Sequence, residues 1–564
     1  MTARLLLALA AFLLLFGKNE IIATPARETD VQELDHYGGC SQVSIPGGRT
    51  SYFHLARLGH RVVLVTPEGH AFWVMAVYGL DQTDGGSTYQ KAVQSKYPNN
   101  AVWAQQSVRR LRSWGFNTIG EYYAVGSRDV LPVPTYHQPP NKEKMPFIRF
   151  IRPAAWCLNA PHLVKNLYAG TDPTIFFTGR SFPDVFDPNW VSCVNQIGPN
   201  SAGEFQPPLS QAEPWMIGTT ADDADDLYGF ASGPDTKNHG IPPHLGWIAA
   251  VSAPMRSVDG TVKPVYAKQA WQQYLQGKYK AITTLNAAWG SSYTTFGSDG
   301  GWPYGSGLMD ENGRKKHAWL GTNELANGAN ANCLADLDNF LYQIAVEYFK
   351  PVQHSVKTAF PHHLIFGPAS INGDTRPQVL QAEGQFVDVV ETWADPSRQQ
   401  SLVRAYQVSG KPLLAWTTLT SQRSSAANGG APWGSGTDTG DYDYSTQNLR
   451  GSAYPRVFEQ YWKTLGTDGI SPIIGLDWWE WTDKTMQGEN MNFGLVTNLD
   501  NAYDGTEDRV LPGKDAWAYT TGGEARAYGD FLSDVSRSNR SACRRLKDEV
   551  SGGAKQISSI QGDK

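Results

Sequence analysis

The sequence predicts an α/β fold: a (β/α)8 TIM barrel with a small N-terminal β segment and long connections after its strands. Three observations carry that expectation. Continuous apolar runs bounded by turn residues recur eight times, at 71–78, 116–121, 147–152, 215–220, 363–367, 386–392, 412–416 and 472–478. Strands buried on both faces of a parallel sheet read this way. Amphipathic segments of helical period lie between several of them. No GxGxxG follows any run, which weakens the open, doubly wound alternative and leaves the closed barrel preferred.

Taken in order, residues 1–26 carry Arg4, an apolar run from Leu5 to Phe16 and small residues near Ala23 to Ala26. The run is shorter than the ~20 residues that cross a bilayer and has the shape of a signal peptide. A secreted or periplasmic protein, without stable membrane insertion after cleavage, is expected. Residues 34–70 read as a small β segment, with Pro67-Glu68-Gly69 turning into the first barrel strand. The barrel is expected over 71–534.

Within it, Trp103, Val108, Leu111 and Trp114 recur at helical spacing, and Gly115 offers a C-terminal cap. Leu334, Leu337, Leu341, Ile344, Tyr348 and Val352 mark one face of a longer helix that Pro351 bends or ends. Tyr454, Phe458, Tyr461, Trp462 and Leu465 mark a third, just before the last strand. The connections 153–214, 228–362 and 417–450 are long enough to be lids or binding walls. Residues 535–564 are polar, contain Arg544-Arg545 and read as a surface tail.

Charged residues make up 18% of the chain, against about 25% in ordinary soluble proteins, and aromatics 12%. Wholesale disorder is thereby excluded. The net charge of −6 leaves no basic excess to neutralise phosphates, so no nucleic-acid partner is expected. Nineteen tryptophans point toward flat, weakly polar ligands such as sugars, although a core can also use them. Of the five cysteines, Cys157 and Cys193 bracket one loop and are expected to pair. Neither CxxC nor HExxH occurs, and no cofactor or metal is implied. Asp500, Asp504 and Asp508 could hold calcium, but solvated loop acids are the simpler reading.

The chemistry-bearing residues gather at the C-terminal ends of the predicted strands. Strand four runs into Asp222, Asp223, Asp225 and Asp226, a crowding of like charge that raises pKa as a general acid needs. The same run could instead complement a helix dipole. Strand six sets Glu391 in an apolar stretch with Trp393 two residues on; it is either paired inside the barrel or aimed at a ligand. Strand eight brings Asp477, Trp478, Trp479, Glu480, Trp481 and Asp483 into seven positions, a plausible sugar subsite. Glu121, at the end of strand two, is a weaker cluster of the same type with Tyr122 and Tyr123. Paired carboxylates are what glycoside hydrolysis requires, about 5–5.5 Å apart for retention and about 6.5–9.5 Å for inversion.

Several segments resemble retaining glycoside hydrolases of the agarase and β-galactosidase kind. They are Gly69–Trp73, Gly115–Gly120, Phe182–Pro188, Tyr279–Trp289, Pro361–Gly367 and Asn490–Val496, in matching order. The resemblance implies a (β/α)8 barrel acting on β-linked polysaccharides, galactose-containing ones among them. That family places an Asn-Glu pair at the end of strand four and a nucleophilic Glu at the end of strand seven. Here strand four offers Asp222-Asp223 or Ala224-Asp225, and strand seven reads Leu413-Leu414-Ala415-Trp416-Thr417 with no acid.

Three consequences compete. A strand-four aspartate pairs with Glu391, Glu480 takes the second role, or the barrel binds glycan without cleaving it. The first two make the chain a glycoside hydrolase with a carbohydrate substrate, with Trp393, Trp416, Trp478, Trp479 and Trp481 as the sugar platform.

Overall fold

The computed structural model describes residues 34–82, 86–121, 144–159, 164–167, 181–202, 210–222, 227, 229–230, 265–299, 305–309, 330–368, 375–393, 399–417, 419–421, 443–444, 447–486, 489–491, 493–497, 499–504, 530–552 and 557–559. The segment expected as a signal peptide lies outside them. Four strands, β1 (Cys40–Ser44), β2 (His54–Leu58), β3 (Arg61–Val65) and β4 (His70–Phe72), form an antiparallel sheet. The apolar run at 71–78 therefore splits: its start completes this sheet, and β5 (Val74–Val77) opens the next one.

That second sheet is the barrel. From β5 it runs through β6 (Thr118–Ile119), β7 (Phe147–Ile151), β8 (Met216–Ala221) and β9 (Leu364–Phe366), and then resumes at β10 (Val390–Trp393) and β11 (Leu413–Thr417). A short ribbon, β12 (Thr420–Ser421) with β13 (Asp443–Tyr444), precedes β14 (Ile473–Trp478), which pairs with both β11 and β5. Every barrel pairing is parallel. The seam between β9 and β10 is held by the Phe366–Val389 bridge and by Gly367 N–H donating to Val389 O (2.9 Å). The eight expected strands are thus present as an eight-stranded TIM barrel.

Two β-bulges decide what its interior contains. Opposite Phe147–Ile148 of β7, β8 advances from Met216 to Gly218; opposite Leu413–Leu414 of β11, β14 advances from Ile473 to Gly475. One inserted residue reverses which face every later side chain takes. Ile217 and Ile474 accordingly lie in the inner core, whereas Ala221, Leu476 and Trp478 lie in the outer one. Glycine is required at both bulges: a Cβ on Gly475 would sit 2.2 Å from Val74 O, and one on Gly218 would sit 2.5 Å from Leu364 O.

The inner core packs Val74, Ile148, Ile217, Phe366, Leu414 and Ile474 against Leu64 and Phe72 of the antiparallel sheet and Phe53 just before β2. That sheet closes the barrel at the end from which its strands start. Outside, the helix Asn100–Ser113 buries Trp103, Val108 and Leu111, is capped by Asn99, and gives way to Gly115 at φ +77°. The helix Ala331–Ala359 continues through Pro351 rather than stopping there.

The chain end departs from the expected tail. Residues Leu532–Gly552 form a helix burying Leu532, Val535, Ala542 and Leu546, an apolar stripe diluted in the sequence by Ser and Arg. Asn539 on it accepts from Tyr454 OH (2.8 Å) and donates to Trp114 O (3.1 Å). Cys543 is disulfide-bonded to Cys40, and a last strand, β15 (Ile557–Ser559), pairs with β2. The expected Cys157–Cys193 disulfide is present, and Cys333 is a buried free thiol. Among the described residues no helix is long and apolar enough to cross a membrane.

Candidate active site

Three acids meet inside the barrel near the C-terminal ends of the strands. Glu121 follows β6, Glu391 lies in β10 and Asp477 in β14; each offers an oxygen within 4.8 Å of the others, and all are buried. Thr220 of β8 completes the group. Its hydroxyl lies 2.9 Å from Glu391 Oε2 and 3.3 Å from Glu121 Oε1. The four side chains come from alternate strands, which is how a (β/α)8 barrel builds its interior layers. Thr220 and Asp477 point inward because of the bulges upstream of them. Gly120 makes room for the layer, since a Cβ there would fall 2.3 Å from Asp477 Oδ2.

Three carboxyl groups are thus buried close together. Burial, then the neighbouring Glu121, hold the Asp477 carboxyl well above the usual range. The Tyr78 N–H acts in the opposite sense, although its own hydrogen bond goes to Trp478 O (3.0 Å). Trp416 is the register partner of Asp477 and forms an aromatic group with Tyr78, Trp479 and Phe493. Trp416 meets Tyr78 edge-on at 4.9 Å between ring centroids, and Trp479 lies 4.5 Å from Phe493.

The expected residues divide. Glu121 and Glu391 come together. Asp222 is turned away from the barrel axis by its φ of +65°; its oxygens accept from Ala154 N–H (3.0 Å each) and from Tyr348 OH (2.6 Å). Its carboxylate thereby bonds the first turn of the short helix Pro153–Leu158 and lies outside the three-acid group. Asp223 and Asp225 lie outside the described residues. Glu480 is buried just past β14, after a cis peptide bond with Trp479, and is not part of the three-acid group.

Of the five expected platform indoles, Trp416 and Trp479 belong to that aromatic group. Trp478 and Trp481 face outward as core: Trp478 stacks on Phe531, and Trp481 Nε1–H donates to Tyr89 OH (2.7 Å). Trp393 lies in β10, with its indole outside the described side chains. Asp500 is neither solvated nor free for calcium, because Arg110 (2.9 Å), Tyr97 (2.7 Å) and Tyr89 (3.2 Å) all donate to it.

Asp477 is the residue that sequence reasoning passed over in favour of Glu480. Simple alternation along 472–478 cannot reveal its direction, because the bulge at Gly475 resets the parity. The glycine is the one local sign.

Comparison with known proteins follows the same lines. No protein-family model matches the chain. It is 22% identical over 444 residues to β-agarase B of Vibrio sp. (strain JT0107), covering 76% of this chain and 37% of the agarase. Among solved structures, an agarase superposes with a TM-score of 0.60 at 17% identity, covering 91% of this chain and 68% of that one. An exo-β-agarase gives 0.61 at 17% identity, covering 92% and 68%. The chain is distantly similar to β-agarases and shares their fold, while spanning well under half the length of the curated relative.

Proposed function

We propose that the chain is a secreted glycoside hydrolase, cleaving glycosidic bonds of a polysaccharide or oligosaccharide with a carboxylate pair drawn from Glu391, Asp477 and Glu121. The observation that carries this reading is the convergence of those three acids on alternate strands of a barrel whose similar proteins include β-agarases. Glu391, which accepts from the Thr220 hydroxyl (2.9 Å), is suited to act as nucleophile or base. Asp477, whose carboxyl is pushed well up by burial and the adjacent Glu121, is suited to donate to the leaving oxygen. Oxygens within 4.8 Å favour the retaining route, whose pairs stand about 5–5.5 Å apart. Trp416 and Trp479 would flank the sugar. Two disulfides and the N-terminal apolar run support export.

A second reading has its own support. Asp222 caps a helix, and β11 ends in Trp416-Thr417 without an acid, which suits a carbohydrate-binding barrel that does not cleave. A panel of β-linked glycans, agarose first, assayed for both binding and new reducing ends, separates the two. Products favour hydrolysis; retention of glycan without products favours binding.

A further inference from the structure

We propose that Glu121, Glu391 and Asp477 also form a site for one divalent cation of the oxygen-seeking kind, Ca2+, Mg2+ or Mn2+. The spacing is the first argument. Such ions hold oxygens at about 2.0–2.6 Å, so ligands on opposite sides of one ion stand roughly 4–5 Å apart. Three oxygens within 4.8 Å of one another fit a single coordination shell.

Asp477 is the second argument. It is buried, by hydrogen-bond geometry neither of its oxygens is paired with a donor, and one of them lies within 4.8 Å of an oxygen of each glutamate. Glu391 Oε1 likewise meets no donor, while its other oxygen is fixed by Thr220. Buried acceptors without donors are costly. One proton can bridge only two of the three acids, whereas a doubly charged ion answers all of them. The donor set is entirely oxygen, on three separate strands of a rigid barrel, which suits hard cations over zinc or copper.

The other acid-rich group, Asp35, Glu68 and His70, lacks this character. Asp35 already accepts from Tyr37 N–H (2.9 Å), Gly39 N–H (2.7 Å) and Thr66 OH (2.5 Å).

The inference goes beyond hydrolysis and is tested with no glycan present. A seated cation turns the three acids into ligands, so cleavage through them is to be assayed on chain stripped with EDTA. Calorimetric titration of the stripped full chain with MnCl2 and with CaCl2 is expected to show one saturable site. Glu391→Gln and Asp477→Asn, each shown to be folded by circular dichroism, should weaken it at least 30-fold, and Asp35→Asn should leave it unchanged. Absence of saturable binding, binding indifferent to both mouth substitutions, or loss on Asp35→Asn instead overturns the proposal.

Discussion

Thr220 Oγ1 lies 2.9 Å from Glu391 Oε2 and 3.3 Å from Glu121 Oε1, so one hydroxyl proton faces two buried carboxylates. A hydroxyl can turn toward whichever is charged. Thr220→Val keeps the shape and removes the donor. A hydrogen bond to a charged group contributes about 1.5–3 kcal/mol, so kcat should fall roughly 10- to 100-fold with KM little changed. Thr220→Ser should recover most of it. Steady-state kinetics of the two variants side by side check this.

Gly475 decides the direction of Asp477. Its Cβ-free Cα lies so close to β5 that Gly475→Ala must push Val74 aside. Overpacking of this kind typically costs about 1–3 kcal/mol. The urea midpoint should drop, and activity measured well below that midpoint should fall as the acid layer is displaced. A variant with unchanged midpoint and activity would remove the bulge from the account.

These two residues also show where sequence reading stops. The eight barrel strands were legible because strands buried on both faces are apolar throughout, and periodicity plays no part in recognising them. Glu121 and Glu391 were legible as acids at apolar strand ends. Asp477 was not preferred over Glu480, nor Trp478 and Trp481 recognised as outward-facing core, because a single inserted residue changes the face of everything after it. The direction of Asp222 was hidden for a related reason, since a left-handed φ turns its carboxylate to Ala154 N–H. The helix Leu532–Gly552 escaped notice because polar residues outnumber its buried stripe.

His363 gives a pH dependence of definite sign. Burial pushes its imidazole down to about 4, while Nε2–H donates to Glu213 O (2.7 Å) and Nδ1 is buried without a donor. The unfolded chain takes up this proton near pH 6.5 and the folded chain does not until about 4. Stability contributed here is therefore intact above pH 6.5 and declines as pH falls toward 4, by up to roughly 3 kcal/mol. Relative to wild type, His363→Gln should lose less stability over that window. Denaturant unfolding of both proteins at several pH values measures the difference.

Cys40 and Cys543, 503 positions apart, tie the antiparallel sheet to the last helix. Cys40→Ser with Cys543→Ser should lower stability by about 2–5 kcal/mol. Thiol titration of the unreduced wild type should detect essentially nothing in the folded state. In denaturant it should detect one thiol per chain, the buried Cys333. More than one would mean that a disulfide is absent.

The acid layer at the barrel mouth is tested most directly by counting reducing ends released by EDTA-stripped protein from the glycan it cleaves, beside Glu391→Gln and Asp477→Asn. The account predicts at least a thousand-fold loss in each substitution with glycan still bound. Product release at the wild-type rate in both would place the chemistry elsewhere.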